Sequence, residues 1–373
     1  MLCKESIRFT HSYTTSLQPA AAMGSLLSGE YPHQHQLHRS FDRISDKTEL
    51  VTKLALEKKM RTSFFSGSPN ILKKTGLSKY FELFDDSSAV TEKNFIKQLK
   101  SQFETFFEWY SEDPKPFFTV IYNSELQSKG SDYANTIEKI DENLAGFFIK
   151  LKDDKLWETT TILLVGLNGA NKFQRLDETA FQNLHSENTQ VTTLIKLPRS
   201  QGDEGIYWKN DTVIQSADLG YLLKKIIAPE TSPNTAGRFG FPIIDIQKLI
   251  TEKKLNPATN AQTEQRQILI EAPNSWSKNL SWIQFAVLQN QDMYIDLNQP
   301  VIYNILTDGM ETTNLFKQRR QIFEKTEINL AALKKNLKLK PAPQVKRKNI
   351  FSNEHLINTN INLENIWGLL EIN

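Results

Sequence analysis

Cysteine is almost absent. Cys3 is the only one in 373 residues, which excludes an internal disulfide and a cysteine-based zinc site. Long apolar runs are missing too. None approaches the roughly 18 residues that a membrane-spanning helix needs, and Met1 to Thr10 holds no apolar core of a secretory signal. Nor does one sign of charge dominate. Lys and Arg number 45 against 43 Asp and Glu, a formal net charge of +2, so bulk electrostatics gives no reason to expect nucleic acid or an anionic membrane as partner. There is no internal repeat and no low-complexity tract.

What remains is an ordinary globular composition, 39% hydrophobic and 24% charged, long enough for a large α/β domain with a smaller companion. Helices are predicted over residues 19–28, with proline at a permitted first position and Gly29 past the end, and over 50–59, 133–151, 219–227 and 315–337. Strands are predicted at Ile7 to Phe9, Thr62 to Phe65, Phe117 to Ile121, Thr160 to Val165 and Val191 to Leu197. This alternation argues for a sheet flanked by helices. After the polar stretch 251–265, three further runs at 267–270, 282–288 and 292–295 predict a small antiparallel sheet. The domains expected are 1–262 (large α/β), 263–340 (small α+β) and a tail, 341–373.

The order and wording of these segments resemble the sulfatase family of the alkaline phosphatase superfamily over nearly the whole chain. Phe9 to Ser16 and Leu26 to His33 are similar to the segments that bracket the family's nucleophile. Leu56 to Phe65, Pro116 to Ile121, Ile140 to Lys152, Trp157 to Val165 and Val213 to Leu219 follow at family-like separations. Ile302 to Leu315 is similar to a C-terminal signature in which a Tyr, two Asp, a Glu and an Asn recur, with Asn304 in place of the first Asp. The resemblance implies a mixed, mainly parallel sheet flanked by helices, with a small C-terminal antiparallel sheet.

It also implies a chemistry that the residues do not supply. Sulfate ester cleavage needs a nucleophile, a divalent cation to hold the sulfate oxygens, and groups that assist the leaving oxygen. The family's Cys/Ser-x-Pro-x-Arg motif falls on Pro19 to Met23, so that proline stands for the nucleophile and Met23 for the arginine. The metal pair after the later strand falls on Leu167 and Asn168, one without a donor atom and one a neutral amide, a poor set for a hard cation. The assisting Lys and His positions fall within 66–70, within 122–129 and near Phe181, where neither type is found at the expected place. Thr14, Thr15, Ser16 and Ser25 keep hydroxyls nearby, Ser16 and Ser25 being weak nucleophile candidates beside the simpler reading as helix caps and packing groups.

His33, His35 and His38 have a spacing that could bind zinc or copper, although three exposed loop histidines is the blander expectation. Gly166, Asn168 and Gly169 read as a tight turn rather than a phosphate loop, lacking the Lys-Ser/Thr ending. Lys340, Lys346, Arg347 and Lys348 read as a solvated tail, and Trp276, Trp282 and Phe285 as packing of the small sheet or, if exposed, a glycan or protein contact.

The expectation is thus a sulfatase-like pseudoenzyme with no cofactor, acting as a binding or structural module towards a protein or glycan partner. The alternative is an active sulfuric or phosphoric ester hydrolase or transferase using other residues; a decaying gene product is a third reading. Localisation is left open: the resemblance points to export, yet no export signal is seen. The family's first strand, with its Asp pair, has no counterpart in the chain. The strands at 117–121 and 160–165 are expected as neighbours, with that position filled either by an upstream segment, the favoured source, or by the tail.

Overall fold

A computed structural model of the chain describes residues 2–67, 74–88, 95–123, 133–169, 184–199, 207–230, 238–255, 266–273, 282–297 and 299–339. A short 3-10 turn leads into β1 (Ile7–Phe9), then β2 (Ser12–Tyr13), α1 (Pro19–Ser28), α2 (Pro32–His35), α3 (Val51–Glu57) and β3 (Arg61–Ser66). There follow β4 (Leu83–Asp85), α4 (Phe95–Glu112), β5 (Phe117–Tyr122), α5 (Tyr133–Asp153) and β6 (Ile162–Val165). Next come α6 (Ser186–Thr189), β7 (Thr193–Lys196), β8 (Trp208–Asn210), β9 (Ile214–Gln215), α7 (Ser216–Ile227) and α8 (Ile246–Leu255). The chain continues through β10 (Gln267–Pro273), β11 (Ile283–Gln289), β12 (Asp292–Asp296), β13 (Val301–Asn304), α9 (Phe316–Arg319) and α10 (Glu324–Asn336).

Two ribbons precede the small sheet. One has the order β4-β3-β5 and is all parallel; the other is β6-β7-β1-β8, where β1 runs parallel to β8 and antiparallel to β7. Alternation of side chains divides them between two apolar layers. Phe64 and Ile195 join Met23, Leu26, Leu219, Leu222 and Ile250, on the side of α1, α7 and α8. Phe65 and Leu194 join Phe106, Trp109, Phe148 and Leu151, on the side of α4 and α5. This is the sheet flanked by helices that the sequence predicts.

The small sheet, order β10-β11-β12-β13, is antiparallel throughout and has four strands instead of the predicted three, since Val301–Asn304 pairs with β12. Both its faces are covered. Phe285, Val287 and Tyr294 pack against Leu330 and Leu333 of α10, while Ile270, Ala286 and Met293 pack with Tyr13 and Leu184 of the large domain. Double coverage explains why these strands read as continuous apolar runs without alternation. The strands β5 and β6, expected as neighbours, share both layers but do not pair: β5 bonds to β3 and β6 to β7. The tail 341–373 and Trp276 lie outside the described residues, and Phe285 packs in the small domain's core.

α1 fixes the geometry of the centre. Pro19 opens it, Gly29 closes it in the left-handed conformation (φ 66°), and every residue from Ala20 to Ser28 is buried. Small residues let α7 approach it backbone to backbone. A Cβ on Gly220 would lie 2.5 Å from the Gly29 nitrogen and from the Ser25 carbonyl oxygen. Gly220→Ala therefore forces two helices apart. The expected outcome is a loss of about 1–3 kcal/mol, the usual cost of overpacking, read as a lower urea midpoint at unchanged slope.

Candidate functional site

The first turn of α1 is where the sequence places a nucleophile, and the structure shows how each nearby hydroxyl is used. Thr14 Oγ1 donates to the Ser16 carbonyl oxygen (2.8 Å) and accepts from the Ser16 N–H (3.1 Å), closing a turn before the helix. Ser16 Oγ donates to the Glu271 carbonyl oxygen on β10 (2.7 Å) and accepts from the Gln18 N–H (3.2 Å). Its one proton is spent on a backbone acceptor in the small sheet. Pro19 itself sits at the first helical position, and Met23 is buried in the core on the α1 layer.

Ser25 has a histidine within reach, His35 Nε2 at 3.1 Å. The Leu37 N–H donates to His35 Nδ1 (3.1 Å), so the neutral ring carries its proton on Nε2 and donates it to Ser25 Oγ. A general base must accept a proton from its nucleophile; here the polarity is reversed. Burial, and then the neighbouring His38 and His33, hold the His35 pKa well below the ordinary histidine value, so the ring stays neutral.

The three histidines are buried, with relative exposures of 5%, 0% and 5% for His33, His35 and His38, which corrects the expectation of an exposed loop. The reason is Glu271, 238 residues further along the chain. Its Oε1 accepts from His33 Nδ1 (2.7 Å) and the His33 N–H (3.2 Å), and Oε2 faces His38 Nδ1 at 3.6 Å. His33 and His38 flank one carboxylate, while His35 points to Ser25. Among the described residues, no group of three or more His, Cys, Asp or Glu side chains is disposed to hold a metal ion.

The turn after β6 offers a cation one neutral amide, Asn168, and no carboxylate among residues 166–169. Leu167 packs against the α1 layer, and Asn168 Nδ2 donates to the Gly169 carbonyl oxygen (3.0 Å). A Cβ on Gly169 would lie 2.1 Å from the Glu187 carbonyl oxygen, and Gly169 N–H donates to Asn188 (2.8 Å), so glycine serves close backbone approach to α6. The residues at Leu167 and Asn168 do not fit a hard divalent cation. The expected Lys and His positions at 68–70, 124–129 and Phe181 lie outside the described residues.

A second buried constellation was only half legible. Glu311, in the C-terminal signature, takes the left-handed conformation (φ 51°) although it is not glycine. It accepts from the Ser186 N–H (2.8 Å), pairs with His185 Nδ1 and accepts from Ser186 Oγ, so it holds the start of α6. The rest of the signature builds the turn that presents it. Asn304 Oδ1 accepts from Thr307 N–H (2.9 Å), Asp308 Oδ2 from Thr312 and Thr313 N–H (2.9 and 2.7 Å), and Asn314 Oδ1 from Ile302 N–H (3.2 Å). The repeated polar residues were visible in the sequence; their partner His185, 126 residues away, was not. Lys196, buried and with its pKa pushed down to about 8 by burial, has the look of a catalytic base. It lies at the opposite end of β6, donating to the carbonyls of Trp157 and Thr160.

No family model matches the chain, and no curated protein matches it in sequence. Solved structures do. A 2-O GAG sulfatase superposes with a TM-score of 0.69 at 13% identity, over 92% of this chain and 88% of that one. The phosphonate monoester hydrolase of Agrobacterium radiobacter gives 0.66 at 12% identity, over 90% and 89%. The phosphonate monoester hydrolase from Silicibacter pomeroyi gives 0.64 at 11%, over 91% and 90%. At such identities the likeness shows the fold.

Two outcomes follow. Ser16→Ala should lower stability by about 1 kcal/mol, the net value of a hydrogen bond, as read by urea unfolding. The His35 and His38 pKa values are both lowered, in each case first by burial, and Glu271 pulls His38 the other way. The unfolded chain binds these protons more readily, so stability is complete above about pH 6.5 and falls below it, by up to about 1.4 kcal/mol per unit and histidine. His35→Asn, which keeps an acceptor for the Leu37 N–H, should flatten the fall in urea midpoint between pH 7 and pH 5. Comparing the two chains cancels Glu30 and Asp218, whose raised pKa values act in the opposite sense.

Proposed function

We propose that this chain, which has the sulfatase fold of the alkaline phosphatase superfamily, is a sulfatase-like pseudoenzyme that acts as a binding or structural module. The observation that carries the reading is the commitment of the α1 hydroxyls. Ser16 gives its proton to a backbone carbonyl, Ser25 accepts one from a histidine kept neutral, and proline occupies the position where attack would start. Leu167, partly buried against the α1 layer, supports it at the turn after β6. An active sulfuric or phosphoric ester hydrolase is the rival reading. Thr15 favours it, since its buried Oγ1 has no hydrogen-bond partner.

Nitrophenyl sulfate and nitrophenyl phosphate, with calcium, magnesium, manganese or zinc, separate the two. The proposal expects no turnover and no rise in melting temperature with any cation, since binding to the native state alone would raise it. Metal-dependent turnover that is lost in Thr15→Val would establish the rival and end the pseudoenzyme reading.

A further inference from the structure

The segment that carries His33, His35 and His38 is held to the fold largely by side chains. Its backbone N–H groups bond mostly within it: Gln34 and His35 to the Tyr31 carbonyl, Gln36 to Pro32, Asp42 to Arg39 and Ser45 to His35. Outside it, the His33 N–H reaches the Glu271 carboxylate (3.2 Å) and the Ile44 N–H the Thr75 carbonyl (2.9 Å). Leu37 packs in the α1 layer and Tyr31 beside Phe241, its hydroxyl accepting from Gln215 Nε2. A stretch with so few backbone bonds to its neighbours can open without the rest of the fold.

The His35 ring has both nitrogens engaged. Nδ1 accepts from the Leu37 N–H and Nε2 donates to Ser25 Oγ, each at 3.1 Å. A second proton can go only on Nδ1, where it meets the Leu37 N–H, so a donor replaces an acceptor at a fully buried ring. The ring and Leu37 also pack against α1: a Cβ on Gly24 would lie 2.9 Å from His35 Cε1 and 3.3 Å from Leu37 Cδ2. The charges nearby do not rescue a cation there. His38 and His33 disfavour it, while the carbonyls of Ala21 and of His35 itself favour it. Glu271 on β10 touches His33 and faces His38, and among the described residues no carboxylate pairs with His35. Asp42 and Arg39 face His38, and Glu30, beside Lys224 and Glu49, faces His33.

Burial, then His38 and His33, lower the His35 pKa, and burial lowers that of His38. Released, these rings titrate near the ordinary value of about 6.5. Below that pH the released segment takes up protons that the docked one refuses, so docking weakens by up to about tenfold per unit and histidine. Glu30, its pKa raised by burial, acts in the opposite sense.

We propose that residues 31–42 form an acid-released strap: a proton on His35 frees them from α1 and β10 while the small sheet stays folded. Release uncovers Gly24 and Ser25 on α1 and the Glu271 carboxylate on β10, the surfaces that His35, Leu37, His33 and His38 cover. Histidine is the side chain whose ordinary titration range suits such a switch. This inference does not depend on whether the chain is catalytic.

Hydrogen exchange on the full chain tests it, read as protection factors so that the intrinsic pH dependence of exchange cancels. Between pH 7.5 and pH 5.5 the protection of amides 33–38 should fall about tenfold more than that of amides 285–288 in β11. In His35→Asn, which keeps an acceptor for the Leu37 N–H and takes up no proton, that difference should shrink to threefold or less. Protection of 33–38 that does not change with pH would overturn the proposal. So would a fall shared equally by β11, which reports unfolding of the whole, and both of these are read on the wild-type chain however the variant folds. A full tenfold difference retained in a folded His35→Asn chain would overturn it as well, since the trigger would then be another group.

Discussion

Glu271 ties three parts of the protein together through its N–H, its carbonyl and its carboxylate. Its N–H donates to the Thr15 carbonyl oxygen (2.9 Å), its own carbonyl accepts from Ser16 Oγ (2.7 Å), and its carboxylate holds His33 and faces His38. The small sheet, the turn before α1 and the segment after α1 thus meet on one fully buried residue. Taking a carboxylate out of water costs several kcal/mol unless partners offset it, so none of these segments can move without exposing or stranding that charge. The first turn of α1 inherits its position from this contact. Close packing of α1 on Gly220 then carries the constraint to α7, and Asp218 in α7, bonded to Arg266 and to the Gln215 and Ile244 N–H groups, returns it to the start of β10.

A similar arrangement recurs on the far side of the site. Glu311 holds α6, and α6 in turn sits against Gly169 so closely that no side chain fits. The left-handed backbone of Glu311 costs on the order of 1 kcal/mol, and it persists because Asn304, Asp308 and Asn314 fix the turn around it. In both places a buried glutamate pairs with a histidine in a region where the sequence suggests chemistry. Perturbed or buried ionisable groups are candidates for catalysis, but ion-pair networks that hold a fold perturb them equally.

What could be read from the sequence followed the range of the interaction concerned. Periodicity is local, so α1, α5, α7, β3, β5, β6 and β7 were predicted close to where they lie. α4 was passed over although Leu99, Phe103, Phe106 and Tyr110 carry its helical spacing, and the small sheet lost its fourth strand because Val301–Asn304 reads as part of a polar motif. At the site, the expectation for Pro19, Met23 and Leu167 rested on side-chain identity alone; the structure puts Pro19 at the first helical position and Met23 and Leu167 in the α1 layer. The histidines were misread for the opposite reason. Their burial depends on Glu271, far along the chain, and nothing in the local run from Tyr31 to Arg39 announces it.

The same distinction separates a scaffold from an enzyme. A helix N-terminus offers unsatisfied N–H groups that can stabilise developing negative charge or be consumed by a cap. In this chain Ser16 Oγ takes the Gln18 N–H, and the proton of that hydroxyl goes on to β10. Each polar group so used adds to the rigidity of the centre and removes one group from the set that could act on a substrate. Stability and reactivity therefore draw on the same few atoms at the start of α1. Thr14 and Ser16 donate to backbone carbonyls and Ser25 accepts from His35, whereas the buried Thr15 hydroxyl has no hydrogen-bond partner.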